Sequence, residues 1–98
     1  MRFDWDSRKA GANIQKHRVS FEEACTIFSD RSVLTVYDGR HSTGEDRWVS
    51  MGLSMAAKLL VVAHTWPEPD QDGEETLRII SARRANGRER AAYAEQKR

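Results

Sequence analysis

The segment that most constrains this chain is Leu59-Leu60-Val61-Val62-Ala63, apolar at every position. It is far too short to cross a bilayer, which takes about 20 residues. A short run that is apolar on both faces marks a central strand, covered above and below. Pro67 and Pro69 follow it, and neither can donate to a β-ladder, so the strand ends by about Trp66. A strand of this kind needs a sheet around it, and the chain has 98 residues to supply one. That length is one domain, residues 1–98, because two separate cores would each be too small to bury their apolar surface. Hydrophobic residues at 39% suffice for a small core, and a net charge of +1 is too small for a disordered polyelectrolyte or for bulk attraction to nucleic acid. The single cysteine, Cys25, excludes an internal disulfide framework and a cysteine-based zinc knuckle, and suits a reducing compartment. Met1 to Asp6 is polar and charged, without the apolar stretch of a signal peptide. The expectation is a cytoplasmic protein with no membrane segment.

Local patterns give the remaining elements. Phe3 and Trp5 flank Asp4 as a short strand. Asp6 can cap a helix reaching about His17, with Ala10, Ile14 and His17 on its apolar side and Lys9, Asn13 and Lys16 on the adjacent face. Gly11 weakens this helix. Ser20 and Glu23 read as a capping box, with Val19 and Ala24 as a staple, ahead of the stripe Phe21, Ala24, Cys25 and Phe28. Strands are expected over Val33–Tyr37, Arg47–Leu53, Lys58–Trp66 and Thr76–Ala82, with a polar loop from Asp38 to about Gly44. Asn86 and Glu89 form a second capping pair before a helix with Ala92 and Tyr93 inward, fraying from Glu95 to Arg98. The order β-α-α-β-β-β-β-α defines an α+β class with a mostly antiparallel sheet covered by helices.

Charge is partitioned along the chain. Residues 1–18 carry Arg2, Arg8, Lys9, Lys16 and Arg18 against Asp4 and Asp6. Residues 67–75 carry Glu68, Asp70, Asp72, Glu74 and Glu75 with no basic group. Residues 76–98 are basic again, with Glu89 and Glu95 the only acids. Folding could bring the two basic ends together; a solvated surface explains such blocks equally well.

Three blocks of residues then resemble one family. They are Phe3-x-Trp5-Asp6-x-x-Lys9-Ala10-x-x-Asn13-x-x-Lys16-His17-x-Val19-x-Phe21-x-x-Ala24 at the start, Leu59 to Thr65 in the middle, and Arg78-Ile79-Ile80-Ser81-Ala82-Arg83-x-Ala85-x-x-x-Glu89-Arg90-x-x-Tyr93 at the end. In this order they resemble BrnT-type toxins over nearly the whole chain. The resemblance implies a RelE-like fold and a ribonuclease toxin of a type II toxin–antitoxin module that cleaves RNA and slows translation. It also implies neutralisation by a BrnA-type antitoxin, whose ribbon-helix-helix domain would make the only, indirect, contact with DNA. The chain departs from the family in its acidic, proline-containing Trp66–Glu75 loop and in Gly11.

Metal-free RNA cleavage needs a base for the 2′-hydroxyl, cations for the phosphorane-like transition state and an acid for the leaving 5′-oxygen. Histidine and arginine suit these tasks. His64 ends an apolar strand, where it could face a cleft or sit in the core. Arg78 interrupts an apolar strand and must reach solvent, a carboxylate or a phosphate. Arg83 follows Ser81-Ala82; a straight strand puts it opposite Arg78, and a turn before it would bring the two together. Glu89 is a candidate partner should either arginine form a structural ion pair instead. His64, Arg78 and Arg83 are the catalytic candidates. Lys9, Lys16, His17 and Arg47 are candidates for RNA binding; a solvated face explains the two lysines equally well, and capping and packing at a helix end is the leading role for His17. His41 sits in a polar loop and reads as a surface residue. Tyr93 and the tryptophans Trp5, Trp48 and Trp66 read as core in so small a domain. No metal site is expected from three histidines without ligand spacing, and no cofactor is implied. The rival reading is a non-catalytic co-repressor of a DNA-binding antitoxin; a lesser one is an RNA-binding module without cleavage.

Overall fold

The computed structural model describes residues 1–97; of the stretch expected to fray, Glu95 to Lys97 are helical and Arg98 lies outside the described residues. The apolar run becomes β4 (Leu59–His64), at the centre of a six-stranded sheet. Its antiparallel neighbours are β3 (Trp48–Leu53) and β6 (Glu75–Arg84). Beyond β3 lies β2 (Leu34–Tyr37), antiparallel to it. Beyond β6 lies β1 (Arg2–Asp4), in parallel register, with the two-residue β5 (Glu68–Pro69) also paired to β6. The helices are α1 (Ser7–His17), α2 (Phe21–Cys25) and α3 (Gly87–Lys97), with short 3-10 turns at Thr26–Ser29 and Gly39–His41. The class is α+β with a mostly antiparallel sheet. Among the described residues no helix is long and apolar enough to cross a membrane.

Alternation along β4 separates the two faces. Leu60 and Val62 enter a core shared with Val19, Phe21, Ala24, Ile27, Leu77, Ile79 and Ala82. Val61 and Ala63 point the other way, onto a face that α1 and α2 leave open. Gly52 permits a close approach beneath the Thr26–Ser29 turn: a Cβ there would lie 3.2 Å from both the Cβ and the carbonyl oxygen of Ile27 and 3.2 Å from Val33 Cγ2.

One irregularity changes the reading of β6. Ala63 pairs with Ser81, but His64 pairs with Ile79, so Ile80 is an extra residue on its strand. A bulge of this kind shifts the alternation by one. Leu77 and Ile79 are buried before it and Ala82 after it. Arg78, Ser81 and Arg83 therefore share the outer face although the chain does not turn before Arg83. The straight-strand parity expected from the sequence is corrected by that one residue.

α1 begins where expected, with Asp6 Oδ1 accepting from the backbone N–H of Arg8 at 2.8 Å and of Lys9 at 3.1 Å. Its buried stripe is not the expected one. Asn13 is 7% exposed, while Ile14 is 45% exposed. Asn13 Nδ2 donates to the carbonyls of Ala82 (2.8 Å) and Val19 (2.9 Å), and the Ala82 N–H donates back to Asn13 Oδ1 at 3.1 Å. The amide acts as a short piece of strand on the free edge of β6. That edge would otherwise be a buried, unpaired backbone, which is why it outranks an isoleucine.

The Ser20 cap forms, its Oγ accepting from the Glu23 N–H at 3.0 Å. The Glu23 carboxylate does not reach back; it accepts from Ser54 Oγ at 2.8 Å and ties α2 to the β3–β4 turn. The Asn86–Glu89 box is complete in both directions, at 2.8 and 2.9 Å. α3 is anchored by Tyr93, whose hydroxyl donates to Asp30. The acidic loop is a hairpin: Asp70 Oδ1 accepts from the N–H groups of Asp72 and Glu74, and Gly73 takes φ 78°. It lies against the N-terminus, with Met1 N 3.4 Å from Glu74 and Arg2 3.8 Å from Asp70. Part of the first basic block is thus neutralised locally rather than added to the C-terminal one.

Candidate active site

On the open face, four elements converge on a cleft of about 290 Å³. α1 ends in His17, and the Asn13 clamp fixes that end against β6. β3 is preceded by Arg47. The bulged β6 presents Ser81 and Arg83. The turn after β2 supplies Asp38 and His41, and Val49, Val61 and Ala63 form an apolar floor.

The 38–47 loop is held by its own hydrogen bonds. The Asp38 N–H donates to the Arg47 carbonyl at 2.9 Å, Ser42 Oγ donates to the Asp38 carbonyl at 2.6 Å, and the Arg47 N–H donates to Ser42 Oγ at 2.9 Å. Within it, His41 Nδ1 lies 2.9 Å from Asp38 Oδ2. A carboxylate only accepts, so Nδ1 carries the proton in this contact and Nε2 is left with its lone pair. The His41 side chain is 65% exposed, so that lone pair is accessible. This is the geometry of an oriented general base.

Arg83 donates from Nη1 to Glu89 Oε1 and from Nη2 to Glu89 Oε2, both at 2.8 Å, and again from Nη1 to the Arg84 carbonyl at 3.3 Å. The ion pair that the sequence left as an alternative to function is present. The Arg83 guanidinium, chiefly through these hydrogen bonds, holds the Glu89 carboxyl below its ordinary range; burial opposes this and the Asn86 N–H assists.

The structure does not bring His64, Arg78 and Arg83 together. His64 is 2% exposed and faces the core. Its Nδ1 must donate to the Thr65 carbonyl at 2.7 Å, and its Nε2 lies 2.6 Å from Ser50 Oγ, which in turn lies 2.7 Å from Thr35 Oγ1. The Phe28 ring meets it edge-on at 5.0 Å. Burial pushes its pKa down, outweighing the Thr65 hydrogen bond, so the ring is held neutral. With both nitrogens engaged and no access to solvent, it is a core histidine. Arg78 is exposed but lines a different cleft of about 640 Å³, among Asp4, Glu45, Asp46, Glu68 and Asp70. Those carboxylates repel a phosphate. Lys9 and Lys16 are exposed on α1, outside the lining of the smaller cleft. Of the seven residues singled out from sequence, His17, Arg47 and Arg83 share a cleft.

Asp38 and His41 complete that lining and were passed over in the sequence because a polar loop reads as solvated surface. The available signal was their spacing: an acid three residues before a histidine, across Gly39, closes in one tight turn. Trp5 packs edge-on to Phe21 at 6.0 Å, in keeping with a core role. Trp66 is 53% exposed and packs at a tilt against Trp48, with ring centroids 4.5 Å apart, so not every tryptophan is core.

Comparison with known proteins bears on this arrangement. Residues 5–89 match the family model described as the ribonuclease toxin, BrnT, of type II toxin–antitoxin systems. The crystal structure of the Brucella abortus ribonuclease toxin BrnT is similar, with a TM-score of 0.59 and 25% sequence identity over 88% of this chain and 97% of that one. Comparison with curated proteins gives no match. With a family match running from Trp5, just after β1, to the first turn of α3, the chain belongs to the BrnT family of type II toxin–antitoxin ribonuclease toxins.

Proposed function

We propose that this chain is an endoribonuclease that cleaves RNA without metal in the His17–His41 cleft, slows translation in the cytoplasm, and is silenced by a BrnA-type ribbon-helix-helix antitoxin. The observation that carries the reading is the His41–Asp38 contact in a cleft that also holds His17, Arg47 and Arg83. His41 Nε2 takes the proton of the ribose 2′-hydroxyl, and Asp38 holds the resulting imidazolium. The 2′-oxygen attacks phosphorus, and the bond to the 5′-oxygen breaks. His17, in the last turn of α1, gives its proton to that leaving oxygen. The products are a 2′,3′-cyclic phosphate and a 5′-hydroxyl. Arg47 and Arg83 stabilise the charge that builds on the non-bridging oxygens. Lys16, next to His17, and Lys9, two turns earlier on α1, contact flanking phosphates. His64 supports the sheet under the cleft instead of handling protons, and Arg78 stands apart.

The proposed route is metal-free because the chain itself supplies the groups it needs: His41 as base, His17 as acid, and Arg47 and Arg83 as the cations. The sheet is read as RelE-like, with the antitoxin covering the cleft and DNA reached only through it. The purified chain, incubated with RNA in EDTA, should yield 2′,3′-cyclic ends, and His41→Ala or His17→Ala should abolish them. Cleavage that returns only on adding a divalent cation overturns the mechanism. An intact, folded chain that cuts no RNA yet tightens antitoxin binding to DNA supports the co-repressor instead.

A further inference from the structure

We infer that Glu89 is a positioning residue whose bidentate grip on Arg83 presents the remaining guanidinium edge to the RNA phosphate. This rests on the cleft proposed above. A guanidinium has five N–H groups in one plane. Glu89 takes one from each terminal nitrogen, and the Arg84 carbonyl takes the second from Nη1. What is left is Nε–H and the outer Nη2–H. These two are parallel and form the side-on fork that fits two oxygens of a phosphate. Among the described residues nothing accepts from either. The ion pair and a phosphate-binding role are therefore not alternatives: occupying the far edge stops the side chain rotating and leaves one fork for ligand.

Glu89 is itself fixed. Its Oε1 also accepts from the Asn86 N–H at 2.9 Å, and its own N–H donates to Asn86 Oδ1 at 2.8 Å. The start of α3 thus serves as the mount for Arg83, and the mount reaches β6 through a carboxylate with both oxygens engaged. Glutamine in its place keeps one acceptor for Asn86 but loses the second charged acceptor, so the guanidinium is free to turn.

The test uses the full chain with Glu89→Gln, Arg83→Ala, the double variant, and Arg90→Ala as the control, which removes the Arg90 Nη1 hydrogen bond to the Ala85 carbonyl at the same helix start and spares both the ion pair and the Asn86–Glu89 contacts. Losing a positioned charge costs roughly a hundredfold in rate, so Arg83→Ala should lower kcat by about that factor. Glu89→Gln should lower kcat about tenfold with KM nearly unchanged, and should add nothing in the Arg83→Ala background. Arg90→Ala should lower Tm while keeping kcat. In parallel, the Arg83 Nε–H signal in ¹⁵N NMR is followed while adding an oligonucleotide with 2′-deoxyribose at the cleavage position. It should shift in the parent chain and much less in Glu89→Gln. A signal that does not respond in the parent overturns the inference, whether or not RNA is cut. A shift without any cleavage keeps the inference and overturns the catalytic reading. A Glu89→Gln chain more active than the parent, or one as impaired in the Arg83→Ala background as in the parent, also overturns it.

Discussion

Asn13→Ala should be one of the costliest substitutions in α1, although the periodicity of that helix marks Ile14 as the residue to protect. The substitution removes three hydrogen bonds, to the Val19 carbonyl and to the carbonyl and N–H of Ala82. Val19 and Ala82 are each 1% exposed, so water does not replace the lost partners. A buried backbone group left unsatisfied costs about 1–3 kcal/mol. At the low end of that range the three together cost roughly 3–4 kcal/mol. Alanine returns about 0.6 kcal/mol through helix propensity, leaving a net loss of about 3 kcal/mol. For a domain of this size, about 4–8 °C per kcal/mol lowers Tm by roughly 12–24 °C. Ile14→Ala, with nearly half its surface in solvent, should cost less than about 1 kcal/mol. Urea unfolding of both variants gives the comparison, with equal m-values confirming that the unfolded state is unchanged. The clamp also sets where α1 ends, so Asn13→Ala should lower cleavage at temperatures where the chain is still folded. If Asn13→Ala proves no more costly than Ile14→Ala, the amide is not holding the β6 edge and the account of α1 packing fails.

His64 is held neutral by burial, so its folded pKa lies below the ordinary value near 6.5. Between these two values the unfolded chain binds more protons, and stability should fall as pH drops from about 7.5 to 5.5, above the carboxylate range; a flat profile by chemical denaturation contradicts the buried assignment. Gly52→Ala should cost about 1–3 kcal/mol, because the new Cβ meets Ile27 and Val33 at 3.2 Å. Gly11→Ala, with nothing within 4 Å, should instead raise Tm through about 0.5–1 kcal/mol of helix propensity, and thermal melts separate the two signs. The Cys25 thiol is pushed up to about 11 by burial, with the Glu22 charge adding to it, so alkylation at pH 8 should be much slower in the native chain than in urea. Arg78→Ala should leave RNA cleavage within about twofold of the parent, the scale of a surface change; a loss as large as that of Arg83→Ala would place the active site in the acidic cleft instead.

Nearly every element was legible in the residues, for a local reason. Asp6, Ser20 and Asn86 announce helix starts because a side-chain oxygen two or three residues away satisfies the first free N–H groups. The apolar run of β4 and the prolines behind it place the central strand because a strand's two faces repeat every second residue. The family blocks were legible for the same reason, being short words in order. What local patterns could not show depends on contacts far apart in the chain. The parallel register of β1 with β6 joins Arg2 to Thr76. The burial of Asn13 depends on an edge 69 residues away. The extra residue at Ile80 is invisible until β4 is laid beside it, yet it alone puts Arg83 on the same face as Arg78. The fates of the histidines turned on the same point: a strand end and a loop carry no mark of which face they meet. The sheet packed His64 against Phe28 and Ser50, and the 38–47 loop set His41 in the lining of the same cleft as Arg47. Periodicity decides which residues can share a face; only packing decides which face is covered, and an imidazole handles protons only where water and substrate can reach it.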